Sequence, residues 1–174
     1  MKKIYIFLFL LITTLVASQA SAHKRLFILL GQSNMSGRAP IEDADMAVCP
    51  MVKLLNADGH FEVLRNPLNR FSNIRKDIAM QKLGPGYTFA ETLSEQLQDT
   101  IFFVVNARGG TALERFMKND TAGYYEKTLF RIKQALRERP DLKPATIIWH
   151  QGESNRDDYQ SYLNHLNTSV SYTH

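Results

Sequence analysis

Three apolar runs, Leu26-Phe27-Ile28-Leu29-Leu30, Ile101-Phe102-Phe103-Val104-Val105 and Ala145-Thr146-Ile147-Ile148-Trp149, constrain the fold more than anything else in this 174-residue chain. Each has strand length and almost no polar alternation. Such runs belong to strands covered on both faces, as in a parallel sheet. Helical patterns lie between and after them. Thr88-Phe89-Ala90-Glu91 has the spacing of a capping box, and Phe89, Ala90, Leu93 and Leu97 fall on one helical face. A longer helix is expected from about 121 to 138, with Tyr125, Leu129, Ile132 and Leu136 as its buried stripe and Pro140 as its stop. A third is expected over 155–167, with Tyr159, Tyr162, Leu163 and Leu166 on one face. Alternating strands and helices predict an α/β fold around a parallel sheet.

The segment between the first two runs reads differently. Val52–Asn56 and His60–Leu64 flank Ala57-Asp58-Gly59, the pattern of a hairpin with a short glycine-containing turn. It reads as an excursion from the main sheet. Residues 41–46 read as irregular, and the polar stretch 66–82 as loop or short helix.

The N-terminus is set apart. Lys2 and Lys3 precede an apolar stretch, Ile4 to Val16, and Ala20-Ser21-Ala22 fits a small-x-small cleavage site. Residues 1–22 therefore read as a secretory signal peptide, too short for a comfortable membrane span, and an exported protein is expected to begin at His23. Residues 23–174 suffice for one domain with a core. Two of the four net positive charges are Lys2 and Lys3, and the remaining basic residues are scattered. That excludes a nucleic-acid footprint. A lone Cys49 excludes an internal disulfide framework, and a buried or incidental thiol is the expected state. Neither Gly-x-Gly-x-x-Gly nor Gly-x-x-x-x-Gly-Lys-Ser/Thr follows a strand, which argues against a nucleotide-binding domain.

Ligands of parallel α/β sheets bind beyond the carboxyl ends of the strands. Each apolar run is followed there by a polar, glycine-containing cluster. These are Gly31-Gln32-Ser33-Asn34, Asn106-Ala107-Arg108-Gly109-Gly110-Thr111 and His150-Gln151-Gly152-Glu153-Ser154. All three should meet on one sheet edge. Ser33, two residues past its strand, is placed to lift its hydroxyl clear of that edge. Ester hydrolysis needs such a nucleophile, a base for its proton, and donors aimed at the developing oxyanion.

These blocks resemble those of the SGNH hydrolases, and most closely the sialate O-acetylesterase and acetylxylan esterase branch. The resemblance runs from Arg25 to about Leu166. It implies a flavodoxin-like three-layer sandwich and an esterase acting on acetylated carbohydrate, with no metal or organic cofactor. It implies Ser33 as nucleophile, with the backbone N–H groups of Ser33 and Gly109 and the side-chain amide of Gln151 around the oxyanion. Gln32, Asn34, Arg108, Gly110 and Glu153 are its implied substrate-side residues. Other roles stay open: Gln151 as a bridge between loops, Glu153 as a brace for the Ser33 loop, Asn34 and Ser36 as turn residues. Arg108 either pairs with a sugar carboxylate or is solvated.

The branch also implies an Asp-x-x-His block that supplies the base, and none occurs in these 174 residues. The histidines are His23, His60, His150, His165 and His174, with His165 expected on a helix surface. The fold is accordingly expected to be incomplete at its C-terminus, leaving the Ile147-Ile148 strand as an apolar edge. Two functional expectations follow: an exported serine carbohydrate O-acetylesterase, impaired if the block is lost, or a non-catalytic sugar-binding or remnant domain.

Overall fold

A computed structural model describes residues 24–171. The signal peptide assigned to residues 1–22 lies outside the described residues, as do His23 and His174. Five strands form one sheet in the order β3-β2-β4-β1-β5. They are β1 (Lys24–Gly31), β2 (Cys49–Leu55), β3 (Phe61–Leu64), β4 (Ile101–Ala107) and β5 (Leu142–His150). All pairings are parallel except β2 with β3. The helices are α1 (Ser33–Ser36), α2 (Gly86–Leu97), α3 (Tyr124–Glu138) and α4 (Tyr159–Ser171).

Strand parity builds three layers. Phe27, Leu29, Phe103 and Val105 point to one face and pack with Tyr87, Ala90, Phe89 and Leu93 of α2. Leu26, Ile28, Phe102 and Val104 point to the other and pack with Ala135, Ile132 and Leu136 of α3. Every residue of β4 is buried, as its unbroken apolar run requires. This is the flavodoxin-like α/β sandwich that the family resemblance implies, around the parallel sheet that the apolar runs predict.

Several local expectations change. The hairpin is part of the main sheet, because Val52, Lys53 and Leu54 pair in parallel with Ile101, Phe102 and Phe103. Thr88 is inside α2, which begins at Gly86. Tyr87 is buried and donates to Ala47 O at 2.9 Å, tying the start of α2 to the exposed turn before β2. On α3 the fully buried positions are Thr128, Arg131 and Ala135, while the expected stripe is only half-buried. Arg131 is buried because its guanidinium donates to Leu55 O at 2.7 Å and Asn56 O at 2.5 Å, tying α3 to the end of β2. Burial without a carboxylate partner lowers its pKa to about 10.

The third apolar run is an edge, not a buried strand. Residues 143–147 are exposed, with Ile147 at 44%. The helix expected over 155–167 starts at Tyr159, with Asp158 Oδ1 accepting from Ser161 N–H at 2.9 Å. The Asn155 side chain is used elsewhere. Among the described residues, no helix is long and apolar enough to cross a membrane.

Candidate active site

The three polar clusters leave the sheet at one level, because Gly31 pairs with Ala107 on one side and His150 on the other. Backbone bonds carry the register past the strands. Gln32 N–H donates to His150 O, and Arg108 N–H to Gly31 O, both at 3.0 Å. Gly31 permits this crowding. Its φ is +149°, and a β-carbon there would stand 2.0 Å from His150 O.

Ser33 opens the short helix α1 and is half-buried. Gly109 lies against it: a β-carbon at Gly109 would stand 3.5 Å from the Ser33 β-carbon. A side chain at 109 would crowd Ser33 and the Arg38 guanidinium. No side chain among the described residues hydrogen-bonds Ser33 Oγ. His60 pairs with Glu138 at 3.1 Å, His165 pairs with Glu114 at 3.1 Å, and His150 is exposed.

Gln151 is buried and sits where the loops converge. Its Nε2 lies 2.7 Å from Asn155 Oδ1, 3.1 Å from Thr111 O and 3.2 Å from Gln32 Oε1. Its Oε1 is buried without a partner. Gln32, also buried, accepts from Ser154 N–H at 3.3 Å through the same Oε1. The two glutamines thus stitch all three clusters together, which is the bridging role. Asn34 Nδ2 donates to Glu153 Oε1 at 2.6 Å, so Glu153 braces the Ser33 loop through a side chain rather than its backbone. Arg108 turns inward. Its guanidinium donates to Ile74 O at 2.7 Å and lies 5.4 Å from the Tyr124 ring centroid. Gly110 is exposed, at φ +65°. Ser36 Oγ donates to Ser33 O at 3.0 Å, closing the turn.

Three further sets of residues shape the site. Arg38, four residues beyond the first polar cluster, donates through one terminal nitrogen to Ser36 Oγ at 2.9 Å, Gly37 O at 2.6 Å and Met80 O at 2.9 Å. Its other terminal nitrogen would stand 2.3 Å from a β-carbon at Gly109. Buried Asn69 pairs with Ala107 as a strand would, accepting from its N–H and donating to its carbonyl, each at 2.9 Å. That fixes the 66–82 segment beside the end of β4. Asn155 Nδ2 donates to both Glu114 oxygens at 3.0 Å, while its Oδ1 accepts from Gln151. Burial pushes the Glu114 carboxyl up, but the Asn155 amide and the facing His165 outweigh it and hold it below the ordinary value. Arg38 lies just beyond the cluster that holds Ser33. Asn69, Glu114 and Asn155 lie in stretches with no motif.

Among the described residues, no group of three or more His, Cys, Asp or Glu gathers as metal ligands would. Two cavities lie away from Ser33. One, of about 530 Å³, is beside Arg70, Arg75 and Phe130. The other, of about 440 Å³, is an apolar groove between α3, β5 and α4.

The chain is similar to known proteins. A family described as carbohydrate esterase, sialic acid-specific acetylesterase matches residues 23–173. A probable carbohydrate esterase of Arabidopsis thaliana is 28% identical over 166 residues, covering 84% of this chain and 61% of that protein. The chain therefore spans less than two thirds of the length of that curated relative. An X-ray structure of an Arabidopsis thaliana protein is similar with a TM-score of 0.74 at 26% identity, covering 87% of this chain and 68% of that one.

Proposed function

Because this chain belongs to the carbohydrate esterase family of sialic acid-specific acetylesterases, we propose that it removes acetyl groups from sugars through Ser33, after export. One observation carries the reading. Ser33 and Gly109 face each other at the carboxyl edge of the sheet, where Gln151 locks the third loop against the first. In this proposal Ser33 Oγ, giving its proton to water, attacks the acetyl carbonyl carbon. The ester bond to the sugar breaks, and the sugar leaves as its alcohol after taking up a proton. Water then hydrolyses the acetyl-serine to release acetate. The backbone N–H groups of Ser33 and Gly109 receive the oxygen as it gains charge. Such donors are each worth roughly 3 kcal/mol of barrier. Gln151 holds the loops, and thereby the donors, in register.

Acetate release from p-nitrophenyl acetate tests the reading, with Ser33→Ala as control. The expected result is turnover that falls to background in Ser33→Ala. Equal rates in both folded proteins would refute the serine mechanism. The absence of a hydrogen-bonded base at Ser33 Oγ among the described residues favours a second reading, a sugar-binding domain without turnover. Binding of an acetylated sugar without acetate release would select it. Export is checked by the N-terminus of the secreted protein, expected at His23.

A further inference from the structure

Arg38 has one nitrogen too many for a structural tie. The contacts to Ser36, Gly37 and Met80 all use the same terminal nitrogen, and they lock the guanidinium plane. The other terminal nitrogen is directed at the α-carbon of Gly109, on the side where a β-carbon would meet Ser33. Among the described residues it has no carboxylate partner. A guanidinium fixed through one terminal nitrogen keeps the other as a donor to an oxygen anion. That nitrogen lies against buried Gly109, beside Ser33. Arg108 is also held through one terminal nitrogen, by Ile74 O and Arg75 O, but its guanidinium lies toward Tyr124 and not against Gly109. The side-chain amide nitrogen of Gln151 is likewise surrounded by protein acceptors.

We propose that Arg38 is the anion-holding residue of the Ser33 pocket and binds a small carboxylate there, acetate-sized, through its free guanidinium edge. The proposal deepens the esterase reading and rests on it for the identity of the carboxylate as product. It makes the site retain acetate, and it places a positive charge beside the carbonyl oxygen of a bound acetyl ester. Glu153, the acidic side chain of the neighbouring loop, is held by Asn34 and so does not compete for Arg38.

The test needs no turnover. Saturation-transfer NMR on the acetate methyl group reads binding to the full chain, with sodium chloride held constant. Wild type and Arg137→Gln, a change of charge at the exposed end of α3, are expected to bind acetate alike. Arg38→Gln should bind at least about tenfold more weakly, the loss typical of a charged hydrogen bond. Arg38→Lys keeps the charge and a donor for Met80 O but loses the planar edge, and should be weakened severalfold. If Arg38→Gln does not fold, Arg38→Lys carries the test alone. Acetate binding equal in wild type and the folded Arg38 variants would overturn the proposal, and so would no binding to wild type. The Ser33→Ala comparison on p-nitrophenyl acetate separates the two ideas. Its failure removes the esterase reading and leaves the acetate result to be judged by itself.

Discussion

Replacing Gly31 with alanine adds one methyl group at the point where the three loops are tied. That β-carbon would stand 2.0 Å from His150 O and 2.7 Å from His150 C, so backbone must move by about an ångström. Nothing nearby is a flexible side chain that could yield. Two terms add. An L-residue held at φ +149° costs roughly 1–3 kcal/mol, and forcing atoms into a packed site costs typically 1–3 kcal/mol. The sum is about 4 kcal/mol, a large share of the 5–15 kcal/mol typical of a domain. Urea unfolding followed by fluorescence measures it cleanly. Trp149 is the only tryptophan, pairs with Leu30 beside Gly31, and stands edge-on to Phe116 at 5.1 Å. With a slope of about 2 kcal/mol/M, the midpoint should fall by ~2 M. Acetyl-ester turnover should fall further than stability alone explains, because relief of the clash separates Gln32 N–H from His150 O. A midpoint within ~0.3 M of wild type would refute the argument that these strands close on a glycine-sized space.

Phe103→Ala should cost about 3–5 kcal/mol, because Phe103 is fully buried and its ring packs on Phe27 at 5.4 Å and Phe89 at 6.1 Å. A change in thermal midpoint of only a degree or two would contradict this packing. Glu114 tests the link from α4 to Gln151. Its carboxyl is lowered in the fold, so its contribution to stability is complete above the ordinary carboxylate value near 4.5 and is lost as pH falls through the lower folded value. Urea midpoints measured from pH 6 down to pH 3 should therefore fall less steeply in Glu114→Gln than in wild type. Parallel curves would show that Glu114 gains nothing from Asn155 and His165.

Sequence alone made the centre of the sheet legible, because a strand buried on both faces has no option but an unbroken apolar run. Leu26–Leu30 and Ile101–Val105 are such strands. The place of β2 was not legible, since a hairpin pattern is local whereas pairing of Val52 with Ile101 is decided between residues 49 positions apart. The face of α3 was misread for a related reason. Apolar spacing gives no hint that Arg131 is the buried member, because its charge is answered by two carbonyls at the end of another strand. At the candidate site, the polar blocks announced themselves by following strands. Their contacts did not. Arg108 turns onto a loop that no motif marks, and Asn155 is drawn from the expected start of a helix into a bond with Gln151.

The hydrogen bond between Gln32 and Gln151 joins residues 119 positions apart, and Gln151 reaches Thr111 across another 40. Closing such spans carries a chain-entropy penalty that is met before any contact rewards it. The pocket therefore cannot assemble from a fragment of the sheet. It exists only when β1, β4 and β5 have all paired, so its geometry is a late and cooperative product of folding. A local nick in any one of the three loops would undo the alignment of the other two.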